Sequence, residues 1–154
     1  MTLASLEHPV FATYAVSACL LILKMLGQAY LTVFRMMRAE AGFLNPEDAR
    51  KTPLNPNPRP GQLDPLEEVE RSRRMHRNDT ENIPLFLTAG LLFALTDPPL
   101  WAAQLLMYGY VASRAAHFVA YATAQIHDVR AGFWTLGTLL LAVMVGWTLW
   151  GIAA

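Results

Sequence analysis

Long apolar runs separated by one polar stretch organise this chain. Val10 to Phe34 is 25 residues with one charge, Lys24. As a helix this run would rise about 37 Å, enough to cross a ~30 Å hydrocarbon layer. It lacks the basic n-region of a secretory signal and is longer than an h-region, so it is expected to stay in the mature protein. Residues 39–80 change character: Pro53 to Pro65 is a proline-punctuated loop. After Asp64-Pro65, the acidic Glu67, Glu68 and Glu70 mark a helix start. That helix is predicted to run through Arg71 and Arg74 into Ile83–Thr96, an apolar stretch of 14 residues that spans a bilayer only with the polar turns before it. Asp97-Pro98-Pro99 is a turn, Leu100 to Ile126 is another run of spanning length, and Ala131 to Ala154 is 24 residues without a charge. Trp134 near one end of this last run and Trp147 and Trp150 near the other sit where interfacial anchors belong.

The pattern predicts an all-α, integral-membrane, four-helix up-and-down bundle forming one domain. Its spans are expected over about 10–37, 66–96, 100–126 and 131–152, with a polar loop over about 39–65. The Lys and Arg in and around that loop predict it, and the 126–130 connection, on the cytoplasmic side, with both termini opposite.

Composition sharpens this picture. The 154 residues are 54% hydrophobic and 16% charged, with 12 Lys and Arg against 12 Asp and Glu. Most of both signs fall between Arg35 and Glu81, so net neutrality averages a charged region with nearly uncharged ones. A nucleic-acid binder would need a basic surplus on an accessible face. The lone Cys19 excludes an intrachain disulfide framework and a cysteine zinc site, and its apolar run predicts that it packs in the core.

A charge inside a membrane helix costs at least ~2.5–3.5 kcal/mol on insertion scales, so it needs a partner or a purpose. In the third span Tyr110, Arg114, His117, Tyr121 and Gln125 recur at helical spacing and share one stripe. In the second, Arg71, Arg74, Asn78, Glu81 and Leu85 do the same. One reading is a structural ion-pair network joining Glu81 to Arg114 or Arg74. The other is an anion site, because Arg71, Arg74, Arg77, Arg114 and Arg130 outnumber Asp79 and Glu81. Guanidiniums suit carboxylates or phosphates, lipid headgroups included, and Glu81 among them suits a ligand that also carries an amine. The histidines are not at metal-ligand spacing, and no metal site is expected. Lys24 either snorkels or pairs with a polar stripe.

Several segments carry a family resemblance: Asn45-Pro46-Glu47-Asp48; Val69-Glu70-Arg71 with Arg74; His76-Arg77-Asn78-Asp79 with Glu81-Asn82; Arg114-x-x-His117-x-x-x-Tyr121; and Arg130. In this order the chain resembles the membrane-associated proteins in eicosanoid and glutathione metabolism, the MAPEG family, from Val10 to about Thr148. The resemblance implies a homotrimer of four-helix subunits in the endoplasmic reticulum membrane, or in the inner membrane if the source is bacterial. It implies glutathione bound at subunit interfaces near the cytoplasmic side, with a lipophilic small molecule as second substrate. Arg74, Asn78, Glu81, His117 and Tyr121 match glutathione-binding positions, and Arg130 matches the arginine that stabilises the glutathione thiolate. Asp48 matches an acid implicated in prostaglandin isomerisation. The family's first-helix arginine position falls on Met37, with Arg38 and Arg35 the nearby candidates, and Arg114 is assigned with Arg74 to hold carboxylates. Ala131 stands where the prostaglandin E synthase branch has serine, and Trp134 where it has tyrosine. The expected function is therefore a microsomal-type, detoxifying glutathione transferase with glutathione peroxidase activity. The alternatives are a glutathione-dependent prostaglandin E synthase-type isomerase and a non-catalytic membrane regulator.

Overall fold

The computed structural model describes residues 4–153. Among them the fold is all-helical: α1 is Pro9–Ala39, α2 Glu67–Ala94, α3 Leu100–Ala122 and α4 His127–Ala153, with a short 3-10 turn at Pro46–Ala49. No strand occurs among the described residues, only an isolated bridge between Thr52 and Asn55. The helices α1 and α4 are long and apolar enough to cross a membrane. Only 28% of the apolar window of α1 and 17% of that of α4 is buried, where a soluble core helix would be mostly buried.

Local chemistry sets the helix ends. Pro9 opens α1, where its missing N–H is no loss. At the other end Glu40 takes a left-handed φ of 47°. The Arg59 side chain donates to the Ala39 carbonyl (3.2 Å), one of the orphaned acceptors there. Three acids in the first turn of α2 complement its dipole. Helix α3 ends at Ala122, four residues short of the expected 126. Ala124 turns left-handed (φ 56°), and Gln125 N–H reaches back to Ala120 O at 2.8 Å while Ala124 N–H reaches Tyr121 O at 3.1 Å. This closure of the last turn is invisible to apolar periodicity. In the same way α4 begins at His127, ahead of the expected Ala131, with Asp128 in its first turn.

The chain divides into two compact units. One holds the chain up to Lys24 and from Thr80 onward. In it α3 packs on α4, and buried Phe86 stacks on Tyr110 (ring centroids 4.6 Å apart) and on Tyr14 (6.5 Å). Gly137 lets the two helices approach: a Cβ there would lie 2.8 Å from Ser113 Oγ. Lys24 Nζ sits 5.4 Å from the Phe118 ring centroid, a cation–π contact that serves a charge on an apolar helix. Cys19 is exposed on α1, not packed in the core, because it falls on the helix face opposite buried Ser17 and Leu21.

The other unit is Met25–Asp79. Buried Gln28 donates to Ser72 Oγ (2.9 Å) and to its carbonyl (3.1 Å), and Thr32 shares a hydrogen bond with Ser72 Oγ (2.8 Å), tying α1 to α2. Gly42, at φ 74°, brings the backbone against Val69, and Arg73 donates to the Gly42 carbonyl. The proline-rich loop has a polar core of its own. Asn55 and Gln62 exchange amide hydrogen bonds of 2.9 and 3.0 Å, both side chains being buried.

Candidate functional site

In the first unit the α3 stripe is buried from Tyr110 to His117, about two turns. Tyr110 is 2% exposed, Arg114 1% and His117 4%, and Tyr121 is half-buried. Gln125 drops off the stripe because the helix has already ended, and it is exposed. The loop-proximal end of the stripe meets α4. The His117 ring approaches that of Tyr121 edge-on at 5.0 Å, and the Arg130 guanidinium lies over the Tyr121 ring, 4.5 Å from its centroid. The result is a stack of imidazole, phenol and guanidinium. A cation on an aromatic face gains about 0.5–2 kcal/mol, more as water is excluded, so the stack fixes one face of Arg130 and leaves its edge N–H groups for an anion. Its Nε is buried without a hydrogen-bond acceptor. Arg130 also lies in the first turn of α4, whose free N–H groups and dipole favour negative charge. A thiol brought to this edge would lose its proton more readily, since the charged form gains both terms.

The α2 stripe turns outward. Glu81 and Leu85 are exposed, and the buried face of α2 in this unit carries Ile83, Phe86 and Phe93. Of the arginines weighed as partners for Glu81, Arg74 is paired with Glu67 instead. Next to Glu81, Asn82 is held twice: its carbonyl accepts from Tyr110 OH (2.9 Å) and its Oδ1 from Trp134 Nε1 (3.1 Å). Sequence reasoning gave Asn82 and Trp134 no role in the site. The available signal was the four-residue step from Arg130 to Trp134, which puts both on one face of α4.

In the second unit Arg74 pairs with Glu67 at 2.7 Å, and Arg71 donates to the same oxygen at 3.4 Å. Both pairs are exposed, where such contacts contribute little stability. The Arg74 hydrogen bond, more than Arg71, holds the Glu67 carboxyl below the usual carboxylate range. Glu67 lies in the charged first turn of α2, outside the two helices apolar enough to cross a membrane. Asn78 is half-buried. Arg38 and Arg35 line an open groove of about 490 Å³ with Leu31, Phe34 and Glu68. Arg35 is engaged by Glu68 at 3.5 Å, whereas Arg38 is exposed. Asp48 is exposed in the 3-10 turn, where its carboxylate accepts from Asn45 (3.1 Å) and its carbonyl from Asn55 (3.2 Å).

The chain matches the MAPEG family over residues 14–150. It is 32% identical to prostaglandin E synthase of Homo sapiens over 148 residues, covering 96% of this chain and 93% of that protein. It is 36% identical to microsomal glutathione S-transferase 1 of Sus scrofa over 118 residues, covering 77% and 75% of the two chains. The Bos taurus microsomal glutathione S-transferase 1 is 36% identical over 126 residues, covering 82% and 80%.

Proposed function

Because the chain belongs to the MAPEG family, we propose that it is a membrane-bound glutathione transferase. In this reading it activates the glutathione thiolate for attack on lipophilic electrophiles, and on lipid hydroperoxides as a glutathione peroxidase. The observation that carries the reading is Arg130, clamped on Tyr121 with a buried Nε that lacks an acceptor. Similarity to the two glutathione S-transferases adds to it.

Arg130 and the α4 N-terminus lower the pKa of the bound thiol, and Tyr121 or Asn78 supplies hydrogen bonds. Arg114 holds a carboxylate of glutathione in the first unit, and Arg74, with Arg38, does so in the second. Glu81 takes the amine, and His117 braces the Tyr121 ring. With an aryl halide the sulfur displaces halide. With a hydroperoxide it takes the distal oxygen and releases an alcohol, and a second glutathione then gives disulfide and water. Exposed Glu81 and exposed Arg74 would be costly against lipid. Their exposure therefore favours a homotrimer in which neighbouring subunits cover them, with four spans per subunit in the endoplasmic reticulum or a bacterial inner membrane.

A thiol of pKa near 8.5 is about 3% ionised at pH 7, and lowering the pKa by about two units makes it about three-quarters ionised. Conjugation of a chlorodinitrobenzene at pH 7 should thus fall about 25-fold in Arg130→Ala, with loss of the ultraviolet thiolate band and retention of some glutathione binding. An unchanged rate would sink the role of Arg130. The similarity to prostaglandin E synthase and the exposed Asp48 carboxylate favour a second reading, isomerisation of a lipid endoperoxide. Product analysis separates the two, since an isomerase returns its glutathione.

A further inference from the structure

We infer that Trp134, through its hydrogen bond to Asn82, is a positioning residue that holds the Arg130 guanidinium at the thiolate; this rests on the reading of Arg130 given above. Trp134 and Arg130 lie one turn apart on the same face of α4. Their helix is tied to α2 by the indole N–H, 3.1 Å from Asn82 Oδ1. Trp134 is 41% exposed, and its side chain's polar contact is that N–H.

Asn82 is a firm anchor for a physical reason. Two residues on, Pro84 supplies no N–H to the helix ladder, so α2 lacks a rung there and is locally loose. Aromatic hydroxyls from neighbouring helices brace the stretch around that missing rung: Tyr110 on α3 donates to the Asn82 carbonyl and Tyr14 on α1 to the Leu87 carbonyl, each at 2.9 Å. Asn82 is thereby fixed from α3 by its main chain and fixes α4 by its side chain. Tyr110 lies one turn from Arg114, and Tyr121, on the same helix, carries Arg130 on its ring. The α4 face is held at two points, Arg130 on Tyr121 and Trp134 on Asn82. Without the second, the first turns of α4 can pivot on the first.

A retreat of the guanidinium from about 4 to about 5 Å from the sulfur weakens its coulombic effect by a fifth, about half a pKa unit, or roughly threefold less thiolate where the thiol is mostly protonated. The test is the apparent pKa of the glutathione thiol, read from the thiolate absorbance of the full-length protein at saturating glutathione. Trp134→Phe keeps the ring and deletes the donor; Asn82→Leu deletes the acceptor; Asn82→Asp keeps it. Trp134→Phe and Asn82→Leu should each raise the thiol pKa by about half a unit, the double variant should add nothing further, and Asn82→Asp should stay near wild type. A wild-type thiol pKa in Trp134→Phe, whatever its melting temperature, overturns the positioning role and leaves Arg130 standing. Equal pKa values in Asn82→Leu and Asn82→Asp overturn it too, should the tryptophan variant not fold. A wild-type protein with no thiolate band overturns the reading of Arg130 and this role with it.

Discussion

Gly137→Ala probes the contact on which the stack at Tyr121 depends. The added methyl would sit 2.8 Å from Ser113 Oγ, closer than side-chain carbons come to anything. Ser113 cannot simply yield, because its hydroxyl is bonded to the Tyr110 carbonyl at 2.7 Å. Either the serine rotates and surrenders that bond, or α4 moves off α3. Overpacking of this kind costs about 1–3 kcal/mol, against which alanine gains up to about 1 kcal/mol over glycine in helix propensity. Gly146 on the same helix is the internal control, since a Cβ there meets nothing within 4 Å. Gly146→Ala collects the propensity gain alone. In detergent-solubilised protein Gly137→Ala should therefore melt below Gly146→Ala by about 2–12 °C, taking 2–4 °C per kcal/mol for a chain of this size. Ser113→Ala should remove most of that gap, because it deletes the atom that is struck. Glutathione conjugation should drop with stability, Ser113 being next to Arg114 on the helix that carries Tyr121. Equal melting temperatures for the two alanine variants would refute the close approach of α3 and α4 at Gly137.

Two further variants test the polar unit. Gln62→Ala leaves Asn55 with buried amide atoms and no partner, a loss of about 1–3 kcal/mol confined to the loop. Limited proteolysis should cut between Asn45 and Asp64 faster while the melting temperature of the helices holds, and an unchanged cleavage rate would show that the amide pair does not order the loop. Glu67→Gln frees Arg74 and removes a negative charge beside it, so the KM for glutathione should fall about twofold with kcat unchanged, as for uniform binding. Because the Glu67 carboxyl is held below its usual range, the ion pair is present above that range and is lost only as pH falls through the lowered pKa. The KM difference should accordingly persist through mildly acidic pH and close below the usual carboxylate range; a difference that closes near neutrality would refute the pairing.

The α3 stripe was legible from spacing alone, because Arg114 and His117 interrupt an otherwise apolar helix and only one face can take them. On α2 the spacing was equally regular, yet it marked the exposed face. The buried face there includes Ser72 and Asp79, whose polarity disguises core positions. Ser72 is satisfied by Gln28 and Thr32, more than forty and exactly forty positions away in neither case readable from α2 itself. Proline spacing identified the loop as a loop. It could not reveal the Asn55–Gln62 pair, since an amide seven residues from another carries no periodic signature. Cys19 was misjudged because an apolar run predicts burial in a soluble core, whereas on a helix facing lipid the apolar side is the outer one.

Among the described residues, only the first and last helices are apolar enough to enter a bilayer on their own. That has a consequence for biosynthesis. If all four helices cross, α2 arrives at the insertion machinery with four charged turns ahead of its apolar part, and α3 arrives with Arg114 and His117 mid-sequence. Neither is a stable passenger by itself. They would have to linger beside α1 until their polar groups find partners, and α4, emerging last, would close the assembly. A ribosome stalled before α4 should then leave α2 and α3 open to water-soluble reagents while α1 stays protected in the bilayer.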